Sequence, residues 1–440
     1  MKTAHTIVSA RWIIPVEPRA QVLEHHALVI QSGKIVDILP TEKATARYPD
    51  ANHIERNSHA LIPGLINSHT HAAMSLFRGI ADDVPLMEWL NDHIWPAEAK
   101  WVGHEFMRDG VELAIAEMLL SGTTCFNDMY FFPNIVADTA QEMGIRAFVS
   151  MLVIDFPSAW ADTPDEYFDK GLLVHDEVRS LSRIGTTLAP HAPYTVSDAP
   201  LEQVRTYADE LNVPIHMHIH ETETEVADSL AQIGKRPLQR LHELGLVNPR
   251  LMAVHMTQLT QDEITLCAEQ GVNVVHCPES NLKLASGQCD VSALLNAGTN
   301  VCLGTDSASS NNDLDMLGEM RTASLLAKLT TGNAEALPAW QALEMATING
   351  AKALNCQDDI GSLVVGKSAD FVAIDLDHVS TQPVYDPIAQ IVYSASRQQV
   401  TDVWIEGTAR VKNKQLVNVD VDQLLSTAKQ WRDRISNHEQ

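Results

Sequence analysis

Basic residues are scarce in this 440-residue chain: Lys and Arg number 31 against 57 Asp and Glu, a formal net charge of −26. A nucleic-acid surface needs clustered cations to neutralise phosphates, and an anionic membrane face asks for the same. Neither nucleic acid nor a membrane is therefore an expected partner, although a single nucleoside stays open. Long apolar runs are also missing. No stretch reaches the roughly 18 residues that span a bilayer. The opening MKTAHTIVSARWIIPVEPRA lacks the apolar core and small-residue cleavage site of a secretory signal. The six cysteines, at 125, 267, 277, 289, 302 and 356, contain no C-x-x-C pair. That spacing argues against a zinc ribbon or a disulfide framework and for buried thiols in a reducing cytoplasm. No Gly-x-Gly-x-x-Gly follows an apolar run, so the dinucleotide-binding fingerprint is absent as well. What remains is the make-up of a soluble globular protein, 45% hydrophobic and 20% charged, long enough to bury a core without staples.

The two ends of the chain share one texture. HTIVSARWIIPV and HALVIQSGKIVDILP near the start read as short strands, with a turn at Ser32-Gly33. ADFVAIDL, AQIVYSAS and TDVWIEGTARVKN near the end repeat the pattern, with a turn at Glu406-Gly407. Residues 1–60 and 360–440 are thus expected to pair into one small, sandwich-like β-domain. Residues 61–359 differ. Eight runs rich in Val, Ile and Thr recur at 60–71, 123–129, 147–153, 186–192, 214–220, 251–256, 272–278 and 301–307. Helical stretches lie between them, such as 199–212 with Leu201, Val204, Tyr207, Ala208 and Leu211 on one face. Near-continuous apolar strands alternating with helices indicate a parallel sheet covered on both sides. Eight of them predict a (β/α)8 TIM-type barrel, with a doubly wound open sheet as the alternative.

Polar residues gather at the C-terminal ends of these runs: His69 and His71, Asp128, His191, His218 and His220, His255, His276 and Asp306. In a barrel those ends share the face on which active sites form. Residues i and i+2 of a strand point to one side, so His69 and His71 can reach a single ion. The fifth run offers His216, His218 and His220, all on one side if the strand stays regular, of which one is the expected ligand. Asp306 supplies a carboxylate. Zinc accepts such nitrogen and oxygen donors, and ferrous iron or manganese suits the same set. His220-Glu221 does not open an H-E-x-x-H helix, because Thr224 stands where the second His belongs.

IPGLINSHTH, HMHIHETETE, HCPESNLKL, GTDSASSNNDLDM and GSLVVGKSADFVAID together resemble the amidohydrolase superfamily. Within it they resemble the branch of deaminases and chlorohydrolases acting on aminated purines, pterins and triazines. The segment MEWLNDHIWPAEAKW narrows the likeness to the 5′-methylthioadenosine/S-adenosylhomocysteine deaminases. The resemblance implies one zinc ion per subunit on His69, His71, His218 and Asp306. It implies Glu221 as proton shuttle, His255 beside the reacting water, Glu98 on ribose hydroxyls and His191 against the substrate. Glu221 and Asp306 would touch substrate too, and His276 with Ser280 and Asn281 would serve positioning. It also implies a homo-oligomer. Two departures stand out: Ser307 and Ser309 follow the aspartate, and Ser150 and Met151 stand where some relatives carry a substrate-binding arginine. Binuclear relatives need a bridging lysine on the fourth strand, and TTLAPHAPYT contains none.

The expected reaction is hydrolytic deamination at C6 of an adenine nucleoside, giving the inosine analogue and ammonia. The expected alternatives are deamination or chloride displacement on a free base (guanine, pterin or triazine) and, more remotely, a non-catalytic metal-dependent binding protein. Glu98 favours the nucleoside, because a free base has no vicinal diol to donate to a carboxylate.

Overall fold

The computed structural model describes residues 5–436. The chain divides into two compact units: residues 1–67 with 116–125 and 315–419, and residues 68–115 with 126–314 and 420–440.

The first unit carries one mixed eight-stranded sheet built from both chain ends. Its strands are β1 (Thr6–Ile13), β2 (Leu23–Gln31), β3 (Lys34–Pro40) and β4 (Asn52–Pro63) from the N-terminal side. After the barrel strands β5–β12 described below, the C-terminal side adds β13 (Phe371–Asp375), β14 (Val400–Ile405), β15 (Thr408–Lys412) and β16 (Gln415–Leu416). The spatial order is β16-β15-β14-β13-β4-β1-β2-β3. The two ends meet where β13 runs antiparallel to β4, pairing Val372 with Ile62 and Ala373 with Leu61. Both expected turns form, Ser32-Gly33 between β2 and β3 and Glu406-Gly407 between β14 and β15, with positive φ at all four residues. Such tight connections match the twist of the strands they join. A core of Val8, Leu28, Ile35, Leu61, Phe371 and Trp404 fills one face, with the last two rings stacked 4.5 Å apart.

The second sheet is a near-closed (β/α)8 barrel. Its strands are β5 (Leu65–Thr70), β6 (Thr123–Asp128), β7 (Arg146–Val153), β8 (Ile184–Pro190), β9 (Ile215–Ile219), β10 (Leu251–His255), β11 (Asn273–His276) and β12 (Asn300–Leu303). They neighbour one another in strict chain order, which sets aside the open doubly wound sheet, whose order reverses at a switch point. Every residue of β6, β9, β10 and β11 is buried, as expected of strands enclosed on both faces. The ring is drawn shut after β12, where Asp306 N–H donates to His69 O at 3.0 Å and the Thr70 hydroxyl donates to Asp306 O at 3.0 Å. Gly304 allows this approach, since a Cβ there would lie 2.8 Å from the His69 nitrogen. Among the described residues, no helix is long and apolar enough to cross a membrane. All six cysteines are free thiols.

Candidate metal centre and substrate pocket

The strands bring His69, His71, His218 and Asp306 to one point. His69 Nε2 lies 3.2 Å from His218 Nε2 and 3.3 Å from Asp306 Oδ1, and His71 Nε2 lies 3.3 Å from the same oxygen. Donors bonded tetrahedrally to zinc at about 2.0–2.1 Å are about 3.3–3.4 Å from one another, so these separations suit a bound ion. The outer ring nitrogens agree. His71 Nδ1–H donates to Met129 O at 2.5 Å and His218 Nδ1–H to His191 O at 2.9 Å, which turns each bare Nε2 inward. His69 Nδ1 shares a hydrogen bond with His216 Nε2 at 2.9 Å. Burial lowers the basicity of His69 to about 4 and holds that of His218 well below its ordinary value, which favours the neutral imidazoles. Burial works against ionisation of Asp306, yet His69 and His71 hold its carboxyl well below the ordinary carboxylate range. Its second oxygen accepts from Ser280 Oγ at 2.6 Å and Ser310 Oγ at 3.0 Å.

The three histidines of β9 part company. The strand ends at Ile219, and His220 adopts φ 54°. Its Nε2 accepts from Leu238 N at 3.1 Å, away from His69. The regular alternation expected from sequence therefore holds for His216 and His218 and fails at His220. Positive φ recurs at His255 and Asp306, so three strand ends at this face hold a strained backbone.

Glu221 stands beside the metal cluster, its Oε2 3.8 Å from His255 Nε2. Burial raises its carboxyl above the ordinary range, with His255 opposing. Glu225, not singled out from sequence, accepts from His220 N at 3.1 Å and Glu221 N at 2.7 Å and fixes the turn that carries Glu221. The Thr222-x-x-Glu225 spacing was the available signal, for Thr222 caps the following helix in return. His255 Nδ1 lies 2.8 Å from Asn281 Oδ1, so its N–H donates there and its Nε2 lone pair faces the site. Ser280 and Asn281 are thereby placed to orient Asp306 and His255. His276 is buried, and that burial together with the nearby His255 lowers it to about 3.

One cavity joins the donors to the rest of the barrel mouth. Its walls include His71, His191, His218, Glu221, His255 and Asp306 at one end. Leu86, Leu90, Ile94 and Glu98, spaced four residues apart along consecutive helical turns, line another side. Glu98 accepts from Tyr130 OH at 2.6 Å, and burial pushes its carboxyl up to about 7. Tyr130, two residues past β6, was not read as functional in the sequence. His191 Nδ1 bonds the Thr195 hydroxyl at 3.2 Å, and burial with the neighbouring imidazoles lowers it to about 3. The end of β7 contributes Leu152, Ile154 and Phe156, and no Lys or Arg lines the cavity. Ser150 faces inward to Thr187 at 2.9 Å. Ser307 borders the cavity and hydrogen-bonds Ser309 at 2.5 Å.

A (β/α)8 barrel with three imidazoles, one aspartate and a buried glutamate at its strand ends defines a metal-dependent hydrolase. The amidohydrolase family model matches residues 60–410, and the chain belongs to the amidohydrolase family. It is 50% identical over 432 residues to a 5-methylthioadenosine/S-adenosylhomocysteine deaminase of Saccharophagus degradans, covering 98% of this chain and 97% of that one. The corresponding deaminase of Teredinibacter turnerae is 49% identical over 97% of each chain. Among solved structures, an adenosine deaminase from Xanthomonas campestris with bound zinc superposes with a TM-score of 0.98, at 53% identity over 99% of each chain. A zinc-complexed atrazine chlorohydrolase from Arthrobacter aurescens shares the fold, with a TM-score of 0.90 at 23% identity over 97% of this chain and 99% of that one.

Proposed function

We propose that this protein is a zinc-dependent deaminase that converts the 6-amino group of 5′-methylthioadenosine or a related adenine nucleoside to oxygen, releasing ammonia. The observation that carries this reading is the placement of Glu98 in the same cavity as Glu221 and three of the donors, His71, His218 and Asp306. A ribose-binding acid and a hydrolytic centre then face one ligand. The names of the Saccharophagus and Xanthomonas relatives support the same substrate class.

A divalent ion on His69, His71, His218 and Asp306 would supply water acidified from about 15.7 toward about 7. Glu221, held beside His255, takes a proton from the attacking water and delivers it to ring N1. Protonation there reduces aromaticity and opens C6 to the water oxygen. His255, its tautomer set by Asn281, accepts the remaining hydrogen of that water and orients it. Asp306 or Glu221 then takes the proton of the new C6 hydroxyl and passes it to the amino group, the C6–N bond breaks, ammonia leaves and a C6 carbonyl remains. Glu98 accepts from the ribose hydroxyls, and His191 stands against the substrate from the end of β8.

The test is ammonia release by the zinc-loaded protein on methylthioadenosine, adenosylhomocysteine, adenosine, adenine and guanine side by side. Turnover of the nucleosides with little on free bases is expected. Turnover of a free base alone would overturn the role of Glu98 and favour the free-base reading.

A further inference from the structure

Glu98 and the metal donors belong to separate pieces of the chain, and something must hold them in register. Glu98 rides on the short helix Trp95–Trp101, the last turn of the segment Leu86–Trp101. His69 and His218 sit on barrel strands β5 and β9, and His71 and Asp306 lie just past the ends of β5 and β12. Between that helix and these donors lies the stretch just after β6. Met129 N–H donates to Thr70 O at 2.9 Å, and Met129 O accepts from His71 Nδ1 at 2.5 Å. One residue earlier, Asp128 Oδ1 accepts from Ala72 N–H at 2.7 Å. These three bonds bind residues 128–129 to His71 and to its neighbours Thr70 and Ala72. Tyr130 comes next, buried to 4% exposure, and its hydroxyl donates to Glu98 Oε1 at 2.6 Å.

We infer that Tyr130 is a positioning residue for ribose recognition: its hydroxyl ties the Glu98 carboxylate to the backbone that orients His71, and so sets the distance between sugar and reacting base. The inference rests on the nucleoside reading above. Three physical points carry it. A glutamate side chain has three rotatable bonds, and one short charge-assisted bond restricts the outer two. The bond holds Oε1, so the carboxylate that lines the cavity meets a vicinal diol in a restricted orientation. A phenol donor also favours the ionised form of the acid that accepts it, which counters the burial around Glu98. A packing role alone would need the ring and not the oxygen; the phenol is aimed at a carboxylate rather than at solvent.

The discriminating variant is Tyr130→Phe, which keeps the ring and removes one atom. Its steady-state kinetics are compared with wild type on methylthioadenosine and on the 2′,3′-dideoxy analogue of methylthioadenosine, both enzymes zinc-loaded. For methylthioadenosine, KM is expected to rise about tenfold or more with kcat changed less than about threefold, in keeping with loss of a hydrogen bond to a charged group. For the dideoxy analogue, which has no diol to position, wild type and variant are expected to agree within about twofold. In a Glu98→Gln background the Tyr130→Phe change is expected to have little further effect, because the two residues act as one unit. An equal loss on both substrates would make Tyr130 a packing residue and overturn the inference, as would an unchanged KM on methylthioadenosine. Wild type that deaminates no adenine nucleoside would instead overturn the functional reading on which the inference stands.

Discussion

His69 and His218 are separated by 149 residues, yet their Nε2 atoms lie 3.2 Å apart. With a carbonyl claiming His218 Nδ1–H and His216 at His69 Nδ1, this pair cannot be satisfied by moving either ring outward. A cation between the two nitrogens and Asp306 would suit this arrangement, and that reading has measurable consequences.

Removal of the ion should leave the imidazoles crowded around Asp306 with only one another and that carboxylate as partners. Chelation is therefore expected to abolish turnover and lower the thermal midpoint by several degrees, with both restored by zinc. Binding at a thousandfold excess over Kd corresponds to about 4 kcal/mol of stabilisation. Metal analysis with calorimetry checks this; an ion-free sample with unchanged midpoint and turnover would contradict it.

Glu221→Gln keeps the size of the side chain and removes its capacity to carry a proton. The variant is expected to retain a full complement of metal and lose about 10²–10⁴ in kcat, the range of general acid–base contributions. Metal content and ammonia release are measured on the same preparation. Near-normal turnover would remove Glu221 from the proton path.

Glu98 has its carboxyl raised to about 7 by burial, so it is ionised above that pH and protonated below it. Since the carboxylate is the form that accepts from ribose hydroxyls, KM for nucleosides is expected to climb as pH falls through about 7. Glu98→Gln should flatten that limb while keeping a high KM throughout. The stability sign runs the other way. A folded-state value above the ordinary 4.5 means that the folded chain holds the proton longer and loses stability as pH rises from 4.5 toward 7. Glu98→Gln should accordingly gain thermal stability, relative to wild type, on moving from pH 5 to pH 8.

The cavity wall contributes Phe156, Tyr194 and the acids Glu98 and Glu221, and no Lys or Arg among its lining residues. A homocysteinyl carboxylate would enter without a cation, at a desolvation cost that an uncharged methylthio group avoids. The kcat/KM for methylthioadenosine is expected to exceed that for adenosylhomocysteine by about tenfold or more. Comparable values would mean that the homocysteinyl end reaches solvent.

Much of the architecture was legible because its signals are local. Apolar runs of strand length, helical spacing between them and turn residues at Ser32-Gly33 and Glu406-Gly407 each depend on residues close in the chain. The same holds for the His and Asp residues that close the barrel strands, since the end of a strand is visible in its own sequence. Where local geometry departs from the regular, the reading stopped: nothing near His220 announced the φ of 54° that turns it away from His216 and His218. The partners of the site were hidden for a related reason. Tyr130, Ser310 and Glu225 are ordinary in composition, and they acquire roles only through the atoms that folding sets beside them.

The amino-acid sequence by itself determined the barrel, the strand-built end of the chain and the donors available to a metal. These follow from the two-residue period of a strand and the 3.6-residue period of a helix, which act over a few residues at a time. Only the tertiary structure decided which donors meet, that Glu98 lines a cavity with three of them, and that no Lys or Arg among the described residues lines it. Such facts depend on barrel closure, in which β5 is brought to the chain after β12 and Asp306 N–H reaches His69 O across 237 residues of intervening order.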